Sequence, residues 1–167
     1  MAIPREDFKN MNKNIELTSD EIAYIAGFLD GDGCLLAQLI RREDYRYGYQ
    51  IRISIYFYQK TKRHWFLLWM KKKLRYGTLR KRNDGMSEYC IVGTLPVQRI
   101  LTLICDKLRI KHKLCKLILT IIEDLKTVEN AQDFLQVALK VDQVAQWTDS
   151  KKRKITASVV ENFLKSP

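Results

Sequence analysis

The stretch Ile25-Ala26-Gly27-Phe28-Leu29-Asp30-Gly31-Asp32-Gly33 decides how this chain is read. Just upstream, Thr18 and Glu21 stand at capping-box spacing, and Leu17 and Ile22 are placed as a hydrophobic staple. A helix therefore opens at Thr18 and carries Ile22, Ala23, Ile25, Ala26, Phe28 and Leu29. It is expected to stop at Gly31 and Gly33. Gly27 and Gly31 lie four apart on one helix face, with Ala23 a turn earlier. Small residues in a row let a second helix approach closely. Asp30 and Asp32 sit at the helix end, where the macrodipole disfavours carboxylates unless a cation offsets them. Mg²⁺ takes a few hard oxygen ligands with water and phosphate, so a metal and phosphate site is one reading. Two acids that merely cap a turn is the other. An EF-hand fails: with Gly33 as the sixth loop residue, the first and twelfth are Phe28 and Leu39, neither a ligand.

Working outward, CLLAQLIRR is followed by the polar REDYRYG and then by YQIRISIYFYQ. In the last run Ile51, Ile53, Ile55 and Phe57 alternate with Gln50, Arg52, Ser54, Tyr56 and Tyr58, the pattern of a strand half-buried on a core. Its polar side carries amide, guanidinium, hydroxyl and phenol groups and no acid. Such groups hydrogen-bond base edges and phosphates; an ordinary wet sheet face is the alternative. A helix follows from Thr61 to about Leu74, with Trp65, Phe66, Trp69 and Met70 as core candidates rather than a stacking platform. A second hairpin runs GTLRKR, a turn at Asn83-Asp84-Gly85, then SEYCIVG, with Arg80 and Arg82 on one face. The remainder reads helical. One helix opens near Thr94 with Pro96 in its first turn. Another spans about Lys111 to Leu125. A third starts at Asn130 and buries Phe134, Val137, Ala138, Val141 and Val144. A last one runs through Val159 to Leu164. With no internal repeat or linker, residues 1–167 read as one α+β domain, with a core of about 18–165 and an N-terminal extension over 1–17.

Composition narrows the partners. The 167 residues carry 30 Lys and Arg against 19 Asp and Glu, a formal charge of +11, and 46% are hydrophobic. That argues for a globular chain and against disorder. No apolar run approaches the roughly 18–20 residues of a membrane span. The start, MAIPREDFKNMNKNIE, has no apolar core of a secretory signal, so an intracellular protein is expected. The basic residues cluster. Lys60 to Arg82 contains ten Lys and Arg and no acid; Arg109, Lys111, Lys113 and Lys116 form a second group, and Lys151 to Lys154 a third. Such segregation points to a polyanion, most simply nucleic acid. A solvated basic face is the bland alternative for any one cluster. Cys34, Cys90, Cys105 and Cys115 form no C-x-x-C pair and read as reduced thiols. His112 and Cys115 lack the further ligands a zinc site needs.

With these residues in view, Ile25 to Gly33 resembles the motif of the LAGLIDADG homing endonucleases. The blocks AGFLDGDG, AQL, QKTKRHWFL, LRIKHK and TDSKKRK follow the order of its single-motif homodimeric members over roughly residues 20 to 165. The resemblance implies an αββαββα fold with extra C-terminal helices, a saddle-shaped antiparallel sheet for DNA, and motif helices packed at a two-fold axis. Ala23, Ala26 and Gly27 are then dimer-interface candidates. It implies that Asp32 and the Gly31 carbonyl hold Mg²⁺ (or Mn²⁺, with Ca²⁺ able to bind without supporting cleavage). Gln59 orients water, and Arg63 and Lys111 surround the scissile phosphate. Asp30 is expected to be mainly structural, and His64 and His112 to be phosphate contacts or bystanders. By alternation and by match, Gln38, Arg42, Gln50, Arg52, Tyr56, Arg80, Arg82 and Glu88 are base-contact candidates, and Lys151 and Lys154 backbone contacts. The implied activity is hydrolysis of both strands of double-stranded DNA at a long pseudo-palindromic site, leaving 3′ overhangs and promoting mobility of a host intron. An intron-RNA maturase and a non-catalytic DNA-binding protein are the alternatives on this fold. Such genes sit in chloroplasts, mitochondria or archaea.

Overall fold

The computed structural model describes residues 13–148 and 153–166. Helix α1 (Ser19–Asp32) opens as its sequence requires: Glu21 N–H donates to Thr18 Oγ1 at 3.1 Å and Thr18 N–H to Glu21 Oε2 at 3.0 Å. Its end departs from expectation. The helix runs through Gly31, and Gly33 closes it in extended backbone (φ −100°), so the chain passes straight into a strand without a left-handed turn. Gly33 is needed there for space. A Cβ on it would lie 2.9 Å from the Leu29 Cα, and backbone cannot give way. Gly33→Ala is expected to cost about 1–3 kcal/mol, read as a lower urea midpoint at unchanged m-value.

The remaining elements follow the sequence reading. Strand β1 (Gly33–Arg41) and β2 (Tyr49–Lys60) form the first hairpin, α2 (His64–Leu74) follows a short 3-10 turn, and β3 (Thr78–Lys81) with β4 (Met86–Val92) forms the second hairpin. Helix α3 (Thr94–Ile104) completes αββαββα, and α4 (His112–Lys126), α5 (Ala131–Val144) and α6 (Ala157–Lys165) are the extra C-terminal helices. The four strands are antiparallel in the order β1-β2-β4-β3.

One sheet face makes the core. Leu35, Ala37, Ile53, Ile55, Phe57, Tyr89 and Ile91 are buried, together with Ile25 and Leu29 of α1, Leu67 and Met70 of α2, and Val97, Ile100 and Leu101 of α3. Each such large side chain contributes on the order of 1.5–3 kcal/mol. Glu21 pairs with Lys73 at 2.6 Å and ties α1 to α2. At the far end of the first hairpin the Arg41 guanidinium lies 3.9 Å from the Phe163 ring centroid and 5.0 Å from that of Tyr49, which seats α6 on the sheet. No helix among the described residues is long and apolar enough to cross a membrane.

Two expectations are corrected. Trp65 is not core: it is 65% exposed, and α2 buries Leu67, Met70 and Leu74 instead. Ala26, expected at a dimer interface, is fully buried within its own chain, on the core side of α1 with Ile25 and Leu29, and leaves no surface for a second copy.

Candidate active site and nucleic-acid interface

The opposite sheet face is polar and open, and register places its side chains in rows. Ile40 lies opposite Gln50, and Gln38 opposite Arg52. Cys34, Tyr56, Cys90 and Thr78 form one row across the four strands, and Tyr58, Glu88 and Arg80 the next. Gln38, Gln50, Arg52, Tyr56, Arg80 and Glu88 thus share the face that alternation assigned to them. Arg42 follows β1 and makes a two-pronged bond to Asp44, 2.9 Å on each arm. Arg82 follows β3 and pairs with Asp84 at 2.7 Å. Lys154 is exposed, while Lys151 lies outside the described residues.

The face holds one acid on its strands, Glu88, only 8% exposed. It accepts from Arg80 Nε at 2.8 Å and lies 3.8 Å from Arg82. Tyr58, which alternation put on the polar side of β2 but which is not among the named base-contact candidates, stands beside this trio. Its ring is parallel to that of Tyr56, with centroids 6.0 Å apart. Burial pushes the Tyr58 phenol up to about 12, so near neutral pH it remains an O–H donor.

At the inner end of the face the candidate catalytic groups converge. Asp32 is the last residue of α1, and Gln59 stands near the end of β2, whose pairing with β1 begins at Gly33. Gln59 Nε2 donates to Asp32 Oδ2 at 3.5 Å, and Arg63 Nε donates to Gln59 Oε1 at 2.7 Å. One amide thus connects the carboxylate to the guanidinium. Lys111 reaches the same helix end and donates from Nζ to the Asp30 carbonyl at 2.7 Å. Asp30 points away from Asp32. Its carboxylate accepts the backbone N–H groups of Arg109, Ile110 and Lys111 at 2.7, 3.2 and 2.9 Å. Burial would raise its pKa, but those three donors and the Lys111 charge outweigh it and hold the carboxyl below its ordinary value.

These donors fit a hard divalent cation. The last turn of α1 carries no basic residue, and a helix C-terminus leaves carbonyls without intrahelical partners. The Asp32 carboxylate and the Gly31 carbonyl are the oxygen donors that would hold such a cation at a negative dipole end. His64 and His112 are occupied elsewhere: His64 Nδ1 is 2.8 Å from Ser87 Oγ and His112 Nδ1 is 2.9 Å from the Cys105 carbonyl.

Next to this end lies an apolar surface that sequence reading missed. Tyr24 (56% exposed), Trp65, Leu68 (52%) and Ile110 (78%) project outward. Tyr24 and Trp65 also line a shallow cleft with Phe28, Phe66, Gln59 and Arg63. Ala23, Gly27 and Gly31 are exposed on the same helix as Tyr24, and a Cβ built on either glycine meets nothing within 4 Å. The available signal was α2 itself. Six consecutive apolar residues, Trp65 to Met70, exceed what one helix face can bury in its own chain.

A helix ending in a carboxylate, backed by an amide, a guanidinium and an ammonium, and set at the rim of a basic antiparallel sheet, is a group of donors and acceptors that suits a phosphodiester. A family model described as LAGLIDADG endonuclease matches residues 25–116. The chain is 44% identical over 145 residues to DNA endonuclease I-CvuI of Chlorella vulgaris, covering 87% of this chain and 90% of that protein. It is 35% identical over 154 residues to DNA endonuclease I-CreI of Chlamydomonas reinhardtii, covering 92% and 94%. The crystal structure of I-CvuI in complex with the I-CreI target matches with a TM-score of 0.82 over 86% of this chain and 92% of that chain. An archaeal intron-encoded homing endonuclease complexed with DNA shares the fold at a TM-score of 0.75 and 16% identity, over 96% of each chain. The chain belongs to the LAGLIDADG endonuclease family.

Proposed function

We propose that the chain is a homodimeric, Mg²⁺-dependent homing endonuclease that cuts both strands of a long, nearly palindromic DNA site and leaves 3′ overhangs, promoting mobility of its host intron. The observation that carries the reading is the convergence of Asp32, Gln59, Arg63 and Lys111 on the end of α1. Of the two motif acids only Asp32 is left there, since Asp30 is engaged with the residues that lead into α4. A second copy across a dyad through the Ala23-Gly27-Gly31 face would bring the second Asp32. The outward Tyr24, Trp65, Leu68 and Ile110 give that isologous contact an apolar flank.

When bound there, a divalent cation supplies Lewis acidity at the phosphate and an acidified water. Asp32 and the Gly31 carbonyl would hold it. Gln59 orients water through its amide, and Arg63 and Lys111 offset negative charge that builds on the phosphate. Along β2 the outward residues run from Tyr58 at the cleavage end to Gln50 at the far end. That span of eight residues is about 27 Å, on the order of eight base-pair steps of 3.4 Å. Two copies therefore suit a site roughly twice that length plus its centre. Glu88 sets Arg80 for a two-pronged bond to a guanine edge. Arg80→Ala is expected to relax discrimination at one or two positions in each half-site, by about 1–3 kcal/mol, measured on a panel of single-substitution duplexes. Uniform weakening across the panel would make Arg80 a phosphate contact only.

The reading is tested by incubating host-related genomic DNA with the protein and Mg²⁺ and mapping the ends. A few discrete, nearly palindromic sites with 3′ overhangs are expected. Tight, salt-sensitive binding to DNA or to intron RNA without metal-dependent cutting would move the assignment to a DNA-binding module or a maturase.

A further inference from the structure

Asp30 holds both ends of Lys111. Its Oδ1 accepts the Lys111 main-chain N–H at 2.9 Å, and its own carbonyl accepts the Lys111 ammonium at 2.7 Å. Its Oδ2 takes the two preceding N–H groups, of Arg109 and Ile110. A side chain fixed at root and tip by one residue has little freedom left, although lysine alone keeps several rotatable bonds. The two elements are about eighty residues apart in the chain, so no local propensity sets this contact. The exchange also suits both helix ends. An anion sits at the N-terminal side of α4, where N–H groups converge, and a cation sits at the C-terminal side of α1.

The consequence concerns Asp32, two residues after Asp30 on the same continuous helix. Through this clasp, the distance from the Lys111 ammonium to the Asp32 carboxylate is set by one rigid half-turn of backbone. Lysine has three N–H donors. One rests on the Asp30 carbonyl, and two are left for a phosphate. We infer that Asp30 is a positioning residue for the cleavage reaction, acting through Lys111 to hold its ammonium at the scissile phosphate, and not merely a cap for α4.

This rests on the nuclease reading above. The test is a double-mutant cycle on the full chain: wild type, Asp30→Asn, Lys111→Met and the double variant. Each is assayed for single-turnover cleavage of a duplex carrying the mapped site with Mg²⁺, for affinity to that duplex with Ca²⁺, and for melting temperature. Asp30→Asn puts an amide in place of a carboxylate facing three N–H donors, so the clasp loosens. Misplacement of a catalytic group by about 1 Å costs on the order of a hundredfold. The expected result is a cleavage rate about 10–100-fold lower for Asp30→Asn, with affinity within about threefold. In the Lys111→Met background the same change is expected to cost less than about threefold more. Rate losses that multiply would overturn the inference and leave Asp30 a structural cap. If Asp30→Asn fails to fold, Asp30→Ser, which keeps a capping oxygen, runs the same cycle. Failure of both to fold would also overturn it, by making Asp30 a requirement of the core. Absence of cleavage by the wild type would overturn the nuclease reading and this inference with it, whereas cleavage with multiplying losses overturns this inference alone.

Discussion

Asp32→Asn is expected to remove strand cleavage while leaving DNA binding in place. The substitution changes one charge and no volume. Asp32 is exposed at the end of α1 and contacts Gln59 through a long 3.5 Å bond, so the fold does not depend on it. An amide cannot replace a carboxylate as a hard anionic ligand. With the cation weakly held, Lewis acidity at the phosphate is lost. The single-turnover rate is expected to fall at least about a thousandfold, roughly 4 kcal/mol on the barrier. Affinity for DNA should stay within about threefold or tighten, because a negative charge leaves the neighbourhood of phosphates. The check is rate and binding on one duplex, with Ca²⁺ in the binding assay. Normal cleavage by Asp32→Asn would sink the metal assignment.

Gly27→Leu is expected to give a folded monomer that no longer cuts. Within one chain the change is favourable. The new Cβ meets nothing within 4 Å, and replacing a helical glycine with leucine stabilises α1 by about 0.5–1 kcal/mol. Against a second α1 packed across a dyad, the same side chain occupies the space the glycine leaves for the partner backbone. The expected readout is a native circular-dichroism spectrum, sedimentation as monomer at micromolar concentration, and cleavage reduced more than about a hundredfold, since each half-site then lacks its second Asp32. A dimer that cuts at the wild-type rate would place the interface elsewhere.

Much of this architecture is local and therefore readable in the chain. The start of α1 is written in Thr18 and Glu21, and both reciprocal bonds form. The alternation from Gln50 to Tyr58 assigns one side of β2 to the core, and Ile53, Ile55 and Phe57 are buried as it requires. The turn at Asn83-Asp84-Gly85 closes the second hairpin, and the order of elements through α6 matches. Asp32, Gln59 and Arg63 were each picked out by motif match, and the fold brings them into one hydrogen-bonded chain.

Other features depend on what lies across the fold. The resemblance put Ala26 and Gly27 together as dimer-interface candidates, yet one is buried within its own chain and the other open, because only packing selects which side of α1 faces the core. Trp65 looked like core by residue type, but α2 buries its Leu67, Met70 and Leu74 stripe and packs Phe66 and Trp69 at the core's edge, which leaves Trp65 outside. Alternation put Arg80 and Arg82 on one face, but only the pairing of β3 with β4 set Glu88 beside them. The sequence by itself therefore determined the elements and the polar sheet face, since caps, turns and two-residue periodicity act over a few residues, and its motif match named the candidate reacting groups. The tertiary structure alone decided that Asp30 clasps Lys111, that Glu88 holds Arg80, and that an apolar surface flanks the end of α1. Those contacts join residues far apart in the chain, and their energies exist only once the sheet and helices have packed.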